Sequence, residues 1–290
     1  MALIDELYWY LKVGKPKQKL TVYQLRNDFN SYLKAPVFFL STGRCGTQWF
    51  STLLGKDKQL AVFHSPQPSL AVQGKLAWKI ARENDFNLPD KDSELLAEII
   101  MAAREQYFRY TAKGNKRYIE TNNYITFFAP VLNILFPDAV YVHLVRNPMK
   151  FIRSGLDRHY YLEDNVSEIR RIEGDSSLGE ERWNSLSRYG KIAWLWNETN
   201  LFIENFSKTV PAERFFFFPF DQPDFQNVRM LTDQLNISLS DHQIRTMLRQ
   251  KKNVQKGRTS PPYDHWSDEN KEEVRTIVSE LATRYQFNIQ

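Results

Sequence analysis

Between Val37 and Leu54 the chain reads VFFLSTGRCGTQWFSTLL: an apolar run of strand length, a polar turn holding two glycines, then apolar residues at helical spacing. A strand that feeds a helix through such a turn aims successive backbone N–H groups at one point. The positive end of the helix dipole lies at the same place. Gly43 and Gly46 permit backbone conformations and a close ligand approach that side chains would block. Arg44 adds a permanent charge on a planar fork suited to tetrahedral oxyanions, and Thr47 and Gln48 can add side-chain donors from the first helical turn. The expectation is an anion-binding turn. The ATP-binding pattern G-x-x-x-x-G-K-[ST] fails here, because no Gly-Lys pair follows either glycine at the required distance. No evident hydroxyl-plus-aspartate pair for magnesium accompanies it.

Elsewhere short apolar runs alternate with helical patterns. The runs expected as strands are Val37–Leu40, Leu60–Phe63, Ala77–Ile80, Tyr118–Glu120, Val140–Val145 and Arg214–Phe218. Between them, Ser93–Thr111 carries Leu95, Leu96, Ile99, Ile100, Ala103 and Tyr107 on one helical face, with Asp92 as the expected cap and Gly114 as the stop. Such alternation predicts an α/β fold: a single domain with a mostly parallel central sheet flanked by helices. Residues 170–182 are polar, nonperiodic and contain glycine, which reads as a surface loop and a candidate lid. Leu3, Ile4, Leu7, Tyr8 and Leu11 fit one face of an N-terminal helix.

Composition narrows the class without choosing it. Across 290 residues, 42% are hydrophobic and 25% charged, which supports a packed core rather than disorder. The net charge of +5 favours anionic ligands in general. The single cysteine, Cys45, excludes an intramolecular disulfide framework. No apolar run approaches the ~18 residues of a membrane span. Asp5 and Glu6 precede the apolar part of the N-terminus, opposite to a secretory signal. A soluble, cytoplasmic protein with no integral membrane segment is expected.

A second signal lies in AVYVHLVRNPMKFIRSGLDR. A buried-type strand ends at Arg146-Asn147-Pro148, and the helix after it carries Ser154 eight residues beyond the arginine, followed by Arg158. Open α/β sheets hold ligands at the carboxyl ends of their strands, where Arg146 would stand. Together the two segments resemble the sulfotransferases that use 3′-phosphoadenosine 5′-phosphosulfate (PAPS). In that family a [KR]-x-G-T-x-[WL] turn grips the 5′-phosphosulfate, and a strand ending R-[DN]-P, with a serine further on, grips the 3′-phosphate. The matching residues are Arg44, Cys45, Gly46, Thr47, Gln48 and Trp49, then Arg146, Asn147 and Pro148 with Ser154. The stretch RFFFFPFDQPDFQNVRMLTDQLNI is similar to a later strand and helix of the family. VQKGRTSPPYDHW is similar to its late basic loop, which would bring Lys256, Gly257 and Arg258 to the 3′-phosphate. The resemblance covers residues 36–290 and leaves 1–35 as an N-terminal helical extension. Two departures stand out: arginine replaces the lysine of many members at position 44, and Gln48 replaces a frequent threonine or serine. Trp49 matches a position where some members stack a ring on adenine; a core tryptophan is the alternative.

The resemblance implies a P-loop-like fold and transfer of the sulfuryl group from PAPS to a hydroxyl or amine. The acceptor would be a small molecule or a glycan; the product would be adenosine 3′,5′-bisphosphate, and no metal would be needed. Arg44 and the amides of Gly46 to Gln48 would stabilise charge on the leaving phosphate. A hydroxyl acceptor also needs a general base. His64, directly after the run Leu60–Phe63, stands near where one branch of the family places a glutamate base. Its rival is Glu120, near where the family places a histidine base or a Lys-Thr-Pro-like element, with glutamate where the lysine would be. Glu120 could serve as the base, orient acceptor hydroxyls, or form a structural ion pair. Trp183, Trp194 and Trp196 are either a sugar-stacking set or core. Two other readings stay open: a P-loop kinase with a degenerate loop, and a noncatalytic module that binds anions or nucleic acid through Lys251-Lys252 to Arg258. The PAPS reading expects no nucleic-acid partner.

Overall fold

The computed structural model describes residues 33–162, 171–174, 180–250 and 259–289. The N-terminal helix expected from Leu3 to Leu11 and most of the 1–35 extension lie outside them. Five strands form one sheet: β1 (Val37–Leu40), β2 (Leu60–Phe63), β3 (Arg117–Glu120), β4 (Val140–Val145) and β5 (Phe215–Pro219). Their order is β2-β3-β1-β4-β5, and every pairing is parallel. Val37 sits opposite both Ile119 and Val140, so β1 is central, with all strand carboxyl ends on one edge.

Parallel strands need crossover connections, and helices supply them on both faces. The described helices are α1 (Thr47–Leu54), α2 (Ala71–Glu83), α3 (Asp90–Lys113), α4 (Ala129–Leu135), α5 (Pro148–Leu156), α6 (Glu180–Ser185), α7 (Arg188–Ser207), α8 (Phe225–Gln234), α9 (Asp241–Arg249) and α10 (Asp268–Arg284). Alternate strand residues point to opposite faces. Phe38, Leu40, Tyr118, Tyr141 and Val145 join the larger core with α2, α3, α4, α5, α7 and α10. Val37, Phe39, Ile119, Val142 and Leu144 join a second core with α1, α8 and α9.

Two expectations change. Ala77–Ile80 is not a strand but part of α2, whose buried Ala71, Gly74, Ala77, Trp78 and Ala81 recur every three or four residues, the spacing of a helical face. The long helix α3 begins before its expected cap: Pro89 holds the N-cap position, and Asp90 and Asp92 lie in the first turn, where acidic side chains suit the dipole. Gly114 ends it as expected. Of residues 170–182, 171–174 form neither helix nor strand, and α6 begins at Glu180. Trp183, Trp194 and Trp196 are core residues, with the first two rings edge to face at 5.0 Å. Among the described residues no helix is long and apolar enough to cross a membrane.

Candidate active site

The turn after β1 has the backbone that its glycines permit. Gly43 (φ +78°), Arg44 (φ +58°) and Gly46 (φ +88°) all occupy the left-handed region. Gly46 is the N-cap of α1, and neither a capping side chain nor an acidic residue occupies the first turn. The helix start therefore stays open for an anion. A Cβ at Gly46 would come within 2.3 Å of the Phe220 ring, so only glycine lets that ring close over the turn. Cys45 points the other way. Its buried thiol donates to Gly43 O at 2.9 Å and lies 3.2 Å from Thr42 Oγ1, and burial pushes its pKa up to about 11. The Cys45 side chain thus braces the turn from its buried side.

The second motif arrives from β4 and α5. Asn147 caps α5 through its side chain, accepting from the amides of Met149 and Lys150, with Pro148 at the first helical position. This turns Ser154, one face round the helix, toward the turn. Arg44 Nε donates to Ser154 Oγ at 3.0 Å, and Arg146 Nη1 donates to Arg44 O at 3.0 Å. Trp196 Nε1 in turn donates to Arg146 O at 2.9 Å, which gives one of the buried tryptophans a supporting place behind the site. Arg158 is also near. Burial lowers the pKa of Arg44, and the charges of Arg158 and Arg146 add to that lowering against the opposing Tyr160. Guanidinium groups crowded together make a site that favours an anion. The resemblance assigns the two motifs to opposite ends of one nucleotide, whereas here they touch directly.

A cleft of about 440 Å³ opens beside them, lined by Arg44, Gly46, Thr47, Gln48, Trp49, His64 and Arg146 together with Phe220, Asp221 and Leu248. That size suits a small-molecule site. Trp49 is 7% exposed, packs edge to face on Phe50 at 5.1 Å, and still borders the cleft, so it serves the core and the wall together. Asp221 accepts from Asn147 N at 3.2 Å and pairs with Lys150 at 3.3 Å. Phe220 and Asp221 were not singled out from the sequence; their signal was the position directly after the FFFFP strand, at the ligand edge.

His64 lies in the cleft wall, and its Nδ1 is 3.0 Å from Thr121 O and 3.1 Å from Thr121 Oγ1. A carbonyl only accepts, so Nδ1 carries the proton and Nε2 remains the nitrogen able to take one. Glu120 is elsewhere. It is fully buried and does not line the cleft. Oε2 accepts from Arg104 Nε at 3.0 Å and Tyr118 Oη at 2.6 Å, while Oε1 accepts from Arg104 Nη2 at 2.9 Å and Asn122 Nδ2 at 3.1 Å. This geometry gives Glu120 the ion pair rather than the base or an acceptor contact. Burial alone would lower the Arg104 pKa, but the Glu120 carboxylate outweighs it and the pKa rises.

Lys256, Gly257 and Arg258 lie outside the described residues. On one side of them Gln250 borders the cleft. On the other, Ser260 N donates to Asp157 Oδ1 at 3.0 Å, and Arg153 Nε donates to Ser260 O at 3.2 Å, at the end of the Ser154 helix.

The chain belongs to the sulfotransferase family, whose model matches residues 36–223. Among curated proteins no match is found. Among solved structures, the sulfotransferase domain from the curacin biosynthetic pathway is 18% identical; the similarity covers 89% of this chain and 99% of that one with a TM-score of 0.52. Sulfotransferase STF9 from Mycobacterium avium is 13% identical, covering 93% of this chain and 82% of that one with a TM-score of 0.50. At these identities the similarity shows the shared P-loop-like fold.

Proposed function

We propose that this sulfotransferase takes its sulfuryl group from PAPS and passes it to a hydroxyl of a small molecule or glycan. The observation that carries the reading is the union of the two motifs, with Arg44 bonded to Ser154 and Arg146 bonded to the Arg44 backbone. The donor set is made of guanidinium groups, a serine hydroxyl and an uncapped helix start, which is the chemistry a nucleotide with two separated phosphate groups requires. Bound there, PAPS supplies a sulfuryl group joined to a good leaving phosphate.

In this reading Arg146 and Ser154 hold the 3′-phosphate. The start of α1, at Gly46, Thr47 and Gln48, holds the 5′ end, and Trp49 and Phe220 offer ring surfaces to the adenosine. Arg44 lies between both ends and stabilises the charge that develops on the bridging oxygen as the sulfur–oxygen bond breaks. His64 Nε2 accepts the proton of the acceptor hydroxyl as its oxygen bonds to sulfur. Adenosine 3′,5′-bisphosphate then leaves.

The test is transfer of labelled sulfuryl from PAPS across a panel of glycans, lipids and phenols. The wild-type chain is expected to label at least one acceptor class. Arg44→Ala should lower that rate by about 100-fold or more, the scale of losing one transition-state donor. Turnover of magnesium ATP with no sulfuryl transfer would overturn the reading in favour of a kinase.

A further inference from the structure

The buried pair of Arg104 and Glu120 has no part in the transfer just described. An ion pair inside a core is weak evidence for stability by itself. The donors left over around this one share a destination. Arg104 Nη1 donates to Pro68 O at 2.7 Å. Asn122 Nδ2, which also reaches Glu120, donates to Ser69 O at 3.1 Å. Tyr107, three residues along α3 from Arg104, donates its hydroxyl to Gln67 O at 2.9 Å. Three consecutive carbonyls of the segment after His64 are thus each held by a different side chain.

That segment needs holding. Ser65 (φ +48°) and Leu70 (φ +64°) both sit in the left-handed region, which costs residues with a Cβ unless their surroundings fix them. The strand end that carries Glu120 also carries Thr121, the residue that orients His64. One buried carboxylate therefore organises both the backbone that follows the imidazole and the strand end against which the imidazole rests.

We propose that Glu120 is a positioning residue for His64. It aligns Arg104 and Asn122, which fix the backbone of residues 68 and 69 and so hold His64 on Thr121 with Nε2 toward the cleft. This inference rests on the reading of His64 as the base, and its test separates the two.

The test is a double-mutant cycle of His64→Ala and Glu120→Gln at saturating donor, read with the imidazole ¹⁵N spectrum. Glu120→Gln is expected to lower kcat by about 10- to 100-fold, the scale of a displaced catalytic group, with the donor KM unchanged. In the His64→Ala background it should cost nothing further. Losses that multiply would overturn the positioning role, while a fully active His64→Ala would remove the base reading itself. If Glu120→Gln does not fold, Tyr107→Phe, which deletes only the hydroxyl on Gln67, replaces it, with a severalfold fall expected and the same non-additivity. The spectrum needs no turnover. The His64 signals, assigned by their absence in His64→Ala, should show one Nδ1–H tautomer in the wild type and a mixture in the positioning variant. An unchanged tautomer would contradict the proposal.

Discussion

Gly46 concentrates the demands on the turn in one residue, since it starts a helix, holds a left-handed backbone and lies under an aromatic ring. Replacing it with alanine adds a Cβ at φ +88° and 2.3 Å from the Phe220 ring. The left-handed backbone alone costs a non-glycine residue about 1–2 kcal/mol, and moving the ring adds to it. Gly46→Ala should therefore lower the denaturant midpoint by an amount equivalent to about 2 kcal/mol or more. A variant as stable as the wild type would show that ring and turn are not packed as described. The glycine-dependent backbone of the turn was legible in the sequence because a turn's chemistry is local. The partners of Glu120 and His64 were not. Arg104, which claims the Glu120 carboxylate, is sixteen residues back on a helix, and Thr121 is 57 residues from the imidazole it orients.

Strand β4 and helix α7 are tied by one polar link inside the larger core, and that link sets a pH dependence. His143, in β4, lies 2.8 Å from Asn200 Oδ1 through Nε2, and Asn200 Nδ2 donates to Trp196 O at 2.7 Å. Burial lowers the His143 pKa from 6.5 to about 4, against the opposing bond to Asn200. Between those values the unfolded chain binds the proton and the folded chain does not. Stability is therefore lost as pH falls from about 6.5 toward 4, by up to about 3 kcal/mol from this group. Denaturant unfolding at pH 7 and pH 5 should show a smaller loss in His143→Gln than in the wild type. An equal loss would assign the pH dependence to other groups. The bounds of β1, β2 and β4 were legible because each is a short apolar run with a turn signal after it. The run Ala77–Ile80 misled because four apolar or amphipathic residues fit a strand and a helix equally. Only the longer repeat from Ala71 to Ala81 distinguishes them.

Across the whole molecule, residues 102 positions apart in the chain meet because β1 and β4 are parallel neighbours. The chain runs from β1 outward to β2 and β3 on one side, then returns past β1 to β4 and β5 on the other. A ligand crevice is expected where strand order switches in this way, and Arg44 and Arg146 stand on either side of it. The convergence could be anticipated from two strand–loop–helix units in one open sheet, but the direct Arg44–Ser154 bond could not, because it depends on how far α5 turns its serine toward the first loop. A cluster that grips a second phosphate should distinguish nucleotides by it. Calorimetry with adenosine 3′,5′-bisphosphate and AMP isolates that phosphate. The bisphosphate is predicted to bind at least about tenfold tighter, a difference of about 1.4 kcal/mol, and Ser154→Ala should shrink the gap. Equal affinity for the two nucleotides would contradict the account.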